Sequence, residues 1–338
     1  MAYSSDFVIS LIEPVSALAE AVDLSDPSLT THQEQVAYIA LAIAEELKLT
    51  SYEQCQIALA GELHDIGFLS LEDRLKFTEQ SFEVRETYNH ELIGYALLRR
   101  LEPLKEAANM IRFHHLPWNN GNGKNVNGID VPIGSHIINL ADRIAISLDR
   151  RKDVLGQADA ITEKVANYSG TLFHPDAVKA FLSLSRMEYF WLDASSSYCG
   201  RIVQRKLEPL NVWLGMRDLI TLAEVFAQII DFRSPFTAHH SSGVAATAGA
   251  LARLAGFSAN ECQLMQVAGY LHDIGKLAVP GSILEKPGEL DETEKRIMKS
   301  HVYYTYHTLE NIQGFETINT WASLHHERLD GTGYPFHL

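Results

Sequence analysis

The stretch Gly61–Gly67, with the sequence GELHDIG, decides how this chain is interpreted, because it occurs again as GYLHDIG over Gly269–Gly275. The two copies lie 208 residues apart and differ only where Glu62 is replaced by Tyr270. Similarity at a fixed long interval is the signature of a duplicated structural unit. We therefore expect two copies of one module.

The histidines around this stretch repeat at the same intervals. His32 and His240 each lie 32 residues before the His-Asp pair of their copy. A single histidine follows each pair, and a histidine doublet comes 24 residues after it in both copies: His90 with His114 and His115, and His301 with His325 and His326. The repeat therefore includes the residues that carry chemistry.

Apolar residues recur at helical spacing along most of the chain, as with Val36, Ile39 and Ile43, or Val244 and Leu251, whereas strand-like alternation is rare. We predict an all-α fold of two tandem helical bundles. The expected domains are a first module over 1–185, a connecting helical region over 186–231 and a second module over 232–338. Helices are expected at about 32–48, 53–65, 83–101, 104–113, 134–149, 157–168, 175–185, 216–232, 239–255, 260–273, 291–311 and 314–326.

The composition excludes several classes of protein. The chain has 338 residues, 46% of them hydrophobic, which is enough for about two globular domains. Asp and Glu outnumber Lys and Arg by 43 to 28, and the formal charge of −15 argues against a protein that binds duplex nucleic acid. No apolar run approaches the ~18 residues of a membrane span, and residues 1–10 lack the basic start of a secretory signal.

Cysteine usage points to a reducing compartment. Cys55, Cys199 and Cys262 are far apart and form no C-x-x-C pair, so neither a disulfide framework nor a zinc ribbon is expected. Together with the absence of a membrane-span signal, this predicts a soluble cytoplasmic protein.

Each module collects five histidines and a His-Asp carboxylate in a predicted helical bundle. Buried imidazoles and acids are costly unless something polar or cationic satisfies them. Nitrogen and carboxylate ligands without thiolate suit Fe, Mn, Zn or Ni better than a structural zinc site. Asp65 or Asp273 can offer one oxygen to each of two cations, and such pairs, about 3.5–4 Å apart, hold phosphoryl groups and activate water. The pattern therefore predicts a binuclear centre that hydrolyses a phosphate ester.

The motifs resemble a known superfamily. Over about 30–185, the succession of His, His-Asp and a closing Asp resembles the HD superfamily of metal-dependent phosphohydrolases. From about 232 the motifs are more specific: FTAHHS at 236–241, HDIGK at 272–276, KPG at 286–288, His301, and HHERLDGTGYP at 325–335. This second module resembles the HD-GYP family, which are bacterial phosphodiesterases that open cyclic dinucleotides.

The resemblance implies roles for individual residues. Each complete site is expected to hold two divalent ions, with Fe or Mn favoured and Zn or Ni as alternatives. The implied metal ligands of the second module are His240, His272, Asp273, His301, His325 and His326. Those of the first are His32, His64, Asp65, His90, His114, His115 and Asp142. Asp273 and Lys276 are expected to be catalytic, with the lysine steadying charge on the attacked phosphate. Substrate binding is assigned to Lys276, Arg328, Asp330, Gly331, Gly333, Tyr334 and Pro335.

The second module departs from the family in two places. Phe236 occupies the position where some family members place a glutamate that holds a third metal, so two metals are expected. Asp142 follows His115 by 27 residues, and the same interval from His326 would fall beyond Leu338. We therefore expect a fragment that stops before its second closing aspartate. A partner that completes the module and a crippled site are the alternatives.

The first module has a complete ligand list but lacks two other features. Phe68 stands where the second module has Lys276, and WNNGNG at 118–123 replaces the Gly-Tyr-Pro element. The module is expected to bind metal, while its activity is left open between a weak phosphatase, a nucleotide sensor and a structural partner.

The leading hypothesis is a metal-dependent phosphodiesterase whose second module hydrolyses a 3′–5′ cyclic dinucleotide, such as cyclic di-GMP or cyclic GMP-AMP, to a linear product. One alternative is a catalytically idle sensor of a cyclic dinucleotide or a protein partner, and another is an HD-type enzyme acting on nucleotide mono- or triphosphates. The full ligand set and Lys276 favour an enzyme, and Gly-Tyr-Pro favours the cyclic substrate. Which dinucleotide, which metal, and whether the chain forms a homo-oligomer or binds a signalling protein are left open.

Overall fold

The computed structural model describes residues 7–24, 29–68, 89–210, 212–232 and 240–338. Phe236 and the predicted helix starts at 83 and 239 lie outside these ranges. In chain order the described helices are α1 (Ile12–Asp23), α2 (His32–Glu46), α3 (Ser51–Leu63), α4 (His90–Leu98), α5 (Lys105–Ile111), α6 (Ile133–Ser147), α7 (Ala158–Asn167), α8 (Pro175–Leu184), α9 (Glu188–Ser195), α10 (Cys199–Leu207), α11 (Met216–Phe232), α12 (His240–Leu254), α13 (Ala259–Leu271), α14 (Gly281–Leu284), α15 (Glu292–Leu309) and α16 (Glu316–Ser323).

Strands make up very little of the described chain. They form two short antiparallel pairs, one between β1 (Val8–Ser10) and β4 (Trp213–Gly215), the other between β2 (Asn125–Val126) and β3 (Ile129–Asp130). The all-α prediction is confirmed. None of the helices in the described ranges combines the length and apolar character needed to cross a bilayer.

The described residues divide into two compact units, and each contains one copy of the repeat. The unit of the first copy, here the first module, comprises α2–α10. Its central helix α2 packs against α3, α6, α8 and α10, so almost every residue from His32 to Ala44 is buried. Phe173, Phe181, Phe190 and Trp191 fill the core beside it.

The unit of the second copy, here the second module, comprises α11–α16 together with β1, α1 and β4. The β1–β4 pairing ties the N-terminal segment to this unit, and the Leu11 amide donates to the Val212 carbonyl at 2.8 Å. Helix α1 then packs against α15 and the 3₁₀ segment Ile274–Ala278.

This grouping differs from the predicted division at two places. Residues 7–24 pack with the second module through the β1–β4 pair, and α9 and α10 pack with the first module. Gln35 of α2 donates to the Ala194 carbonyl at 2.7 Å, and Lys206 of α10 pairs with Glu45 at 2.5 Å. The boundaries 1–185, 186–231 and 232–338 stay a prediction.

The helix that carries the His-Asp pair begins in the same way in both modules. Thr50 caps α3 by accepting from the Glu53 amide, and Glu53 accepts from the Thr50 amide in return. Ser258 and Glu261 form the same reciprocal capping box at α13, 208 residues later. Because capping boxes fix where a helix starts, both helices place their His-Asp pair at the same distance from the start.

Two glycines in each copy allow the chain segments to approach closely. A Cβ on Gly61 would lie 2.7 Å from the Ala37 Cα, and one on Gly269 would lie 2.6 Å from the Ala245 Cα. At the end of the motif, a Cβ on Gly67 or Gly275 would lie 1.9 Å from the carbonyl oxygen of the next histidine in the pattern. These contacts require glycine, and they bring the His-Asp pair against the helices that carry the other histidines.

Candidate metal centres

The His-Asp pair lies at the C-terminal end of α3 in one module and of α13 in the other. The Nδ1 atom of His64 bonds the Gly61 carbonyl at 2.8 Å, and that of His272 bonds the Gly269 carbonyl at 2.8 Å. An Nδ1–H that donates to a backbone carbonyl fixes the ring and leaves Nε2 as the free acceptor. Both Nε2 atoms then face the adjacent aspartate, at 3.3 Å in the first module and 3.1 Å in the second.

In the first module, Asp65 lies between two groups of side chains. One group is His32, His64 and Asp142, and the other is His90, His114 and His115; within each group the donor atoms lie within 4.8 Å of one another. The Asp65 Oδ2 atom is 3.8 Å from His32 Nε2, and its Oδ1 atom is 3.8 Å from His90 Nε2. The structure therefore brings together all seven residues predicted as ligands here.

The second module repeats this arrangement around Asp273. One group is His240, His272 and Asp273, and the other is His301, His325 and His326. The Asp273 Oδ2 atom is 3.8 Å from His240 Nε2, and its Oδ1 atom is 3.4 Å from His301 Nε2. All six predicted ligands of this module lie together, and here the aspartate offers one oxygen to each group, whereas Asp65 Oδ1 faces both His64 and His90.

Several of the histidines are held in the neutral form that metals bind, whereas Asp65 and Asp142 outweigh burial at His64 and raise its pKa. Burial lowers the pKa of His90 to about 3 and that of His114 to about 4, and neighbouring imidazoles add to the effect. Burial likewise lowers the pKa of His325 to about 4. Burial alone would raise the pKa of Asp273, but hydrogen bonds and charges from His272 and Lys276 outweigh it, so the carboxyl stays ionised. Neutral imidazoles and an ionised carboxylate are the states required of ligands, so the donor sets fit divalent cations.

The two clusters differ in their non-ligand neighbours. Phe68, 3% exposed, stacks on the His90 ring with centroids 3.9 Å apart and planes at 14°. At the corresponding position of the second module, the Lys276 ammonium lies 2.6 Å from Asp273 Oδ2. One cluster therefore has an apolar wall where the other has a cation.

A cavity of about 480 Å³ adjoins the second cluster, which is within the usual size range of small-ligand sites. Lys276 lines it together with five of the predicted ligands, namely His240, His272, Asp273, His325 and His326. Its other walls are apolar and include Val244, Met265 and Trp321. Val244 and Met265 lie on α12 and α13, the counterparts of α2 and α3, against which α6 packs in the first module.

The residues predicted to bind substrate after His326 lie outside this cavity lining. Arg328 is exposed, and Asp330 accepts hydrogen bonds from the Thr332 amide and hydroxyl in a tight turn that also contains Gly331. Gly333, Tyr334 and Pro335 fold back beside the histidine doublet, with the Tyr334 amide donating to the His326 carbonyl at 3.2 Å. Substrate contact by these residues stays a prediction.

The structure adds three neighbours of the clusters that the sequence patterns did not identify. Glu91 Oε2 lies 3.4 Å from His90 Nδ1, and Arg143 Nε lies 3.8 Å from Asp142 Oδ2. Each directly follows a predicted ligand, so adjacency was the available signal. Trp321 lies on α16, which ends at Ser323, two residues before His325.

Family models for the HD domain match two stretches of the chain, residues 29–146 and 224–338. Together they include every predicted ligand. The chain carries two HD domains. The resemblance that the histidine and aspartate motifs indicated is thereby confirmed.

Curated relatives of this two-HD-domain chain include two proteins of Vibrio cholerae serotype O1. The 3′3′-cGAMP-specific phosphodiesterase 1 is 29% identical over 97% of this chain and 77% of its own length. The 3′3′-cGAMP-specific phosphodiesterase 3 is 36% identical over 59% of this chain, and the match spans less than half of that protein, 44%. Both relatives carry names of cyclic dinucleotide phosphodiesterases.

A solved structure supports the fold. The crystal structure of V-cGAP3, a cyclic GMP-AMP specific phosphodiesterase of V. cholerae, aligns with this chain with a TM-score of 0.66. The alignment covers 95% of this chain and 84% of the V-cGAP3 chain. The identity is 24%, so this likeness concerns the fold alone. The two HD domains are therefore supported by sequence models and by architecture.

Proposed function

We propose that this protein is a metal-dependent phosphodiesterase that hydrolyses a 3′–5′ cyclic dinucleotide, cyclic GMP-AMP or cyclic di-GMP, to a linear dinucleotide. The observation that carries the proposal is the second cluster: Asp273 between two histidine groups, with Lys276 at its edge and a cavity beside it. The names of the curated relatives support the substrate class.

Two divalent ions, Fe or Mn, are proposed for each complete site, held by the histidine groups on either side of Asp273 or Asp65. When bound, such ions supply Lewis acidity to phosphoryl oxygens and lower the pKa of a water molecule. His272, His301 and His325 present Nε2 to the site because their Nδ1 atoms are engaged by backbone carbonyls. Asp273 lies between the two groups and presents one carboxylate oxygen to each.

Lys276 is the proposed electrostatic catalyst. Its ammonium lies 2.6 Å from Asp273 Oδ2, at the edge of the cluster where a phosphodiester would bind. A fixed cation at the place where negative charge develops stabilises the transition state more than the ground state.

The cytoplasm is the proposed location. Cys55, Cys199 and Cys262 are all free and buried, as expected of a protein that needs no disulfide.

The direct test is product analysis. The chain, stripped of metal and reloaded with Mn²⁺ or Fe²⁺, is incubated with cyclic GMP-AMP, cyclic di-GMP and cyclic di-AMP, and linear products are followed by chromatography. We expect metal-dependent linear dinucleotide from at least one substrate and none from the metal-free chain. Nucleotide mono- and triphosphates are run in parallel. Turnover of those alone, or tight binding of a cyclic dinucleotide without turnover, would contradict the proposal.

A further inference from the structure

Among the described residues, two histidines of the second cluster, His240 and His326, lack the backbone hydrogen bond that holds the other three rings. The Nδ1 atoms of His272, His301 and His325 each bond the carbonyl of the residue three positions earlier, at 2.7–2.8 Å. Those bonds fix three rings before any ligand arrives. Within the described part of the chain, no hydrogen bond reaches the His326 ring. Something else must set the orientation of this imidazole.

Tyr334 supplies a contact of the right kind. Its ring stacks on the His326 ring, with centroids 4.7 Å apart and planes at 17°. The Tyr334 amide also donates to the His326 carbonyl at 3.2 Å, so backbone and ring are both anchored to the same residue. A flat ring lying on an imidazole restricts its rotation about the bond to Cβ, as a hydrogen bond to Nδ1 would.

The turn before Tyr334 makes this stacking possible. A Cβ on Gly333 would lie 2.4 Å from the Glu327 Cα, so only glycine allows the chain to return so closely to the doublet. Lys299 adds to the arrangement, because its Nζ atom lies 5.2 Å from the centroid of the Tyr334 ring. An ammonium over an aromatic face is attractive, so α15 also holds the tyrosine in place.

We propose that Tyr334 is a positioning residue that fixes the His326 imidazole for metal binding by stacking on it, with Lys299 securing the tyrosine. The proposal rests on the proposed function in one respect, namely that His326 is a metal ligand of the phosphodiesterase site. It assigns to the tyrosine of Gly-Tyr-Pro a role that acts through the cluster, and it locates that role in the ring rather than the hydroxyl.

The test compares Mn²⁺ affinity in the full chain, measured by calorimetric titration, for the wild type and four variants. Tyr334→Leu removes the ring and should weaken binding at the second module about 10–100-fold, the usual cost of losing a group that orients a ligand. Tyr334→Phe keeps the ring and should bind like the wild type. Lys299→Met should cost a few-fold. Tyr303→Leu, the same substitution at an exposed tyrosine of α15 that contacts His307, should change nothing.

The first module serves as a reference within the same molecule, since its sites should titrate alike in every variant, and an Asp273→Ala chain identifies which binding step belongs to the second module.

Wild-type affinity in Tyr334→Leu, with turnover lost, would place Tyr334 on the substrate and overturn the inference. Equal losses in Tyr334→Phe and Tyr334→Leu would also overturn it, because the hydroxyl would then be responsible. A wild type that binds Mn²⁺ but hydrolyses no cyclic dinucleotide would defeat the proposed function while the affinity comparison still decides the role of Tyr334.

Discussion

The two modules hold similar arrangements of predicted ligands beside different neighbouring residues. In the first, His32 is 7% exposed and lies 3.4 Å from Asp142 of α6, which covers that side of the cluster. In the second, His240 lies 3.8 Å from Asp273. Phe68 closes the first cluster where Lys276 borders the second. The comparison shows that the ligand spacing suits cations in both modules, whereas the residues beside the ligands set the charge around each cluster.

The largest difference between the modules is expected when the aspartate between the two histidine groups is removed from each. Asp273→Ala should lower kcat/KM for the cyclic dinucleotide by more than about 10³-fold, since a bound metal is worth several kcal/mol of transition-state stabilisation. Asp65→Ala should lower it by less than about tenfold, because no residue of the proposed catalytic site belongs to the first module. Initial rates of linear product formation measure both. The reverse pattern would move catalysis to the first module.

Removing the cation that distinguishes the modules should have the next largest effect. Lys276→Met should lower kcat by about 10²–10³-fold, as loss of one preorganised transition-state donor does elsewhere, while metal content stays at the wild-type level. Steady-state kinetics and elemental analysis on the same preparation provide the two readings. Lys295→Met is the matched control, because Lys295 pairs with Glu292 on the exposed face of α15. An unchanged kcat in Lys276→Met would mean that the charge difference between the two modules has no effect on catalysis.

Metal addition should stabilise both modules, which separates cation binding from catalysis. At a free Mn²⁺ concentration of about 100 times Kd, each site adds about 2.7 kcal/mol to the free energy of unfolding of its module. Differential scanning calorimetry should therefore show both transitions move upward. His64→Ala should abolish the shift of one transition and His272→Ala that of the other. If only one transition responds in the wild type, the other cluster holds no Mn²⁺.

The smallest predicted effect tests whether the helix pairs that meet at Gly61 and at Gly269 are packed alike. Gly61→Ala and Gly269→Ala should each cost about 1–3 kcal/mol of unfolding free energy, because the new methyl group would overlap the backbone of α2 or α12. Urea denaturation measures both. Gly243→Ala, on α12 with open space at its Cβ position, should be neutral or slightly stabilising. Clearly unequal costs at positions 61 and 269 would mean that the two helix pairs are packed differently.

The sequence predicted most helices that carry ligands, with ends within a few residues. The helix predicted over 32–48 is observed as His32–Glu46, and that over 260–273 as Ala259–Leu271. Periodic apolar positions and capping residues are local signals, so they can be read without knowing the fold. Helix α1 was missed, although Pro14 in its first turn is compatible with a helix start.

Other features of the site could not be predicted because they depend on residues far apart in the chain. Trp321 lines the cavity with Val244 and Met265, which lie on two other helices. Phe68 was identified as a replacement for lysine, but its stacking on His90 depends on how α4 approaches the end of the HD motif. Local sequence patterns carry no information about contacts between segments that are far apart in the chain.

The sequence by itself determined that there are two copies, which side chains form each cluster and what chemistry they suit, because helical periodicity and fixed intervals repeat every ligand position. The folded structure was needed to show that each aspartate lies between two histidine groups, that a phenylalanine ring stacks on one cluster while a lysine pairs with the aspartate of the other, and that Tyr334 lies on His326. The physical reason is that donor types are properties of residues, whereas access, orientation and electrostatic surroundings arise from packing between distant segments.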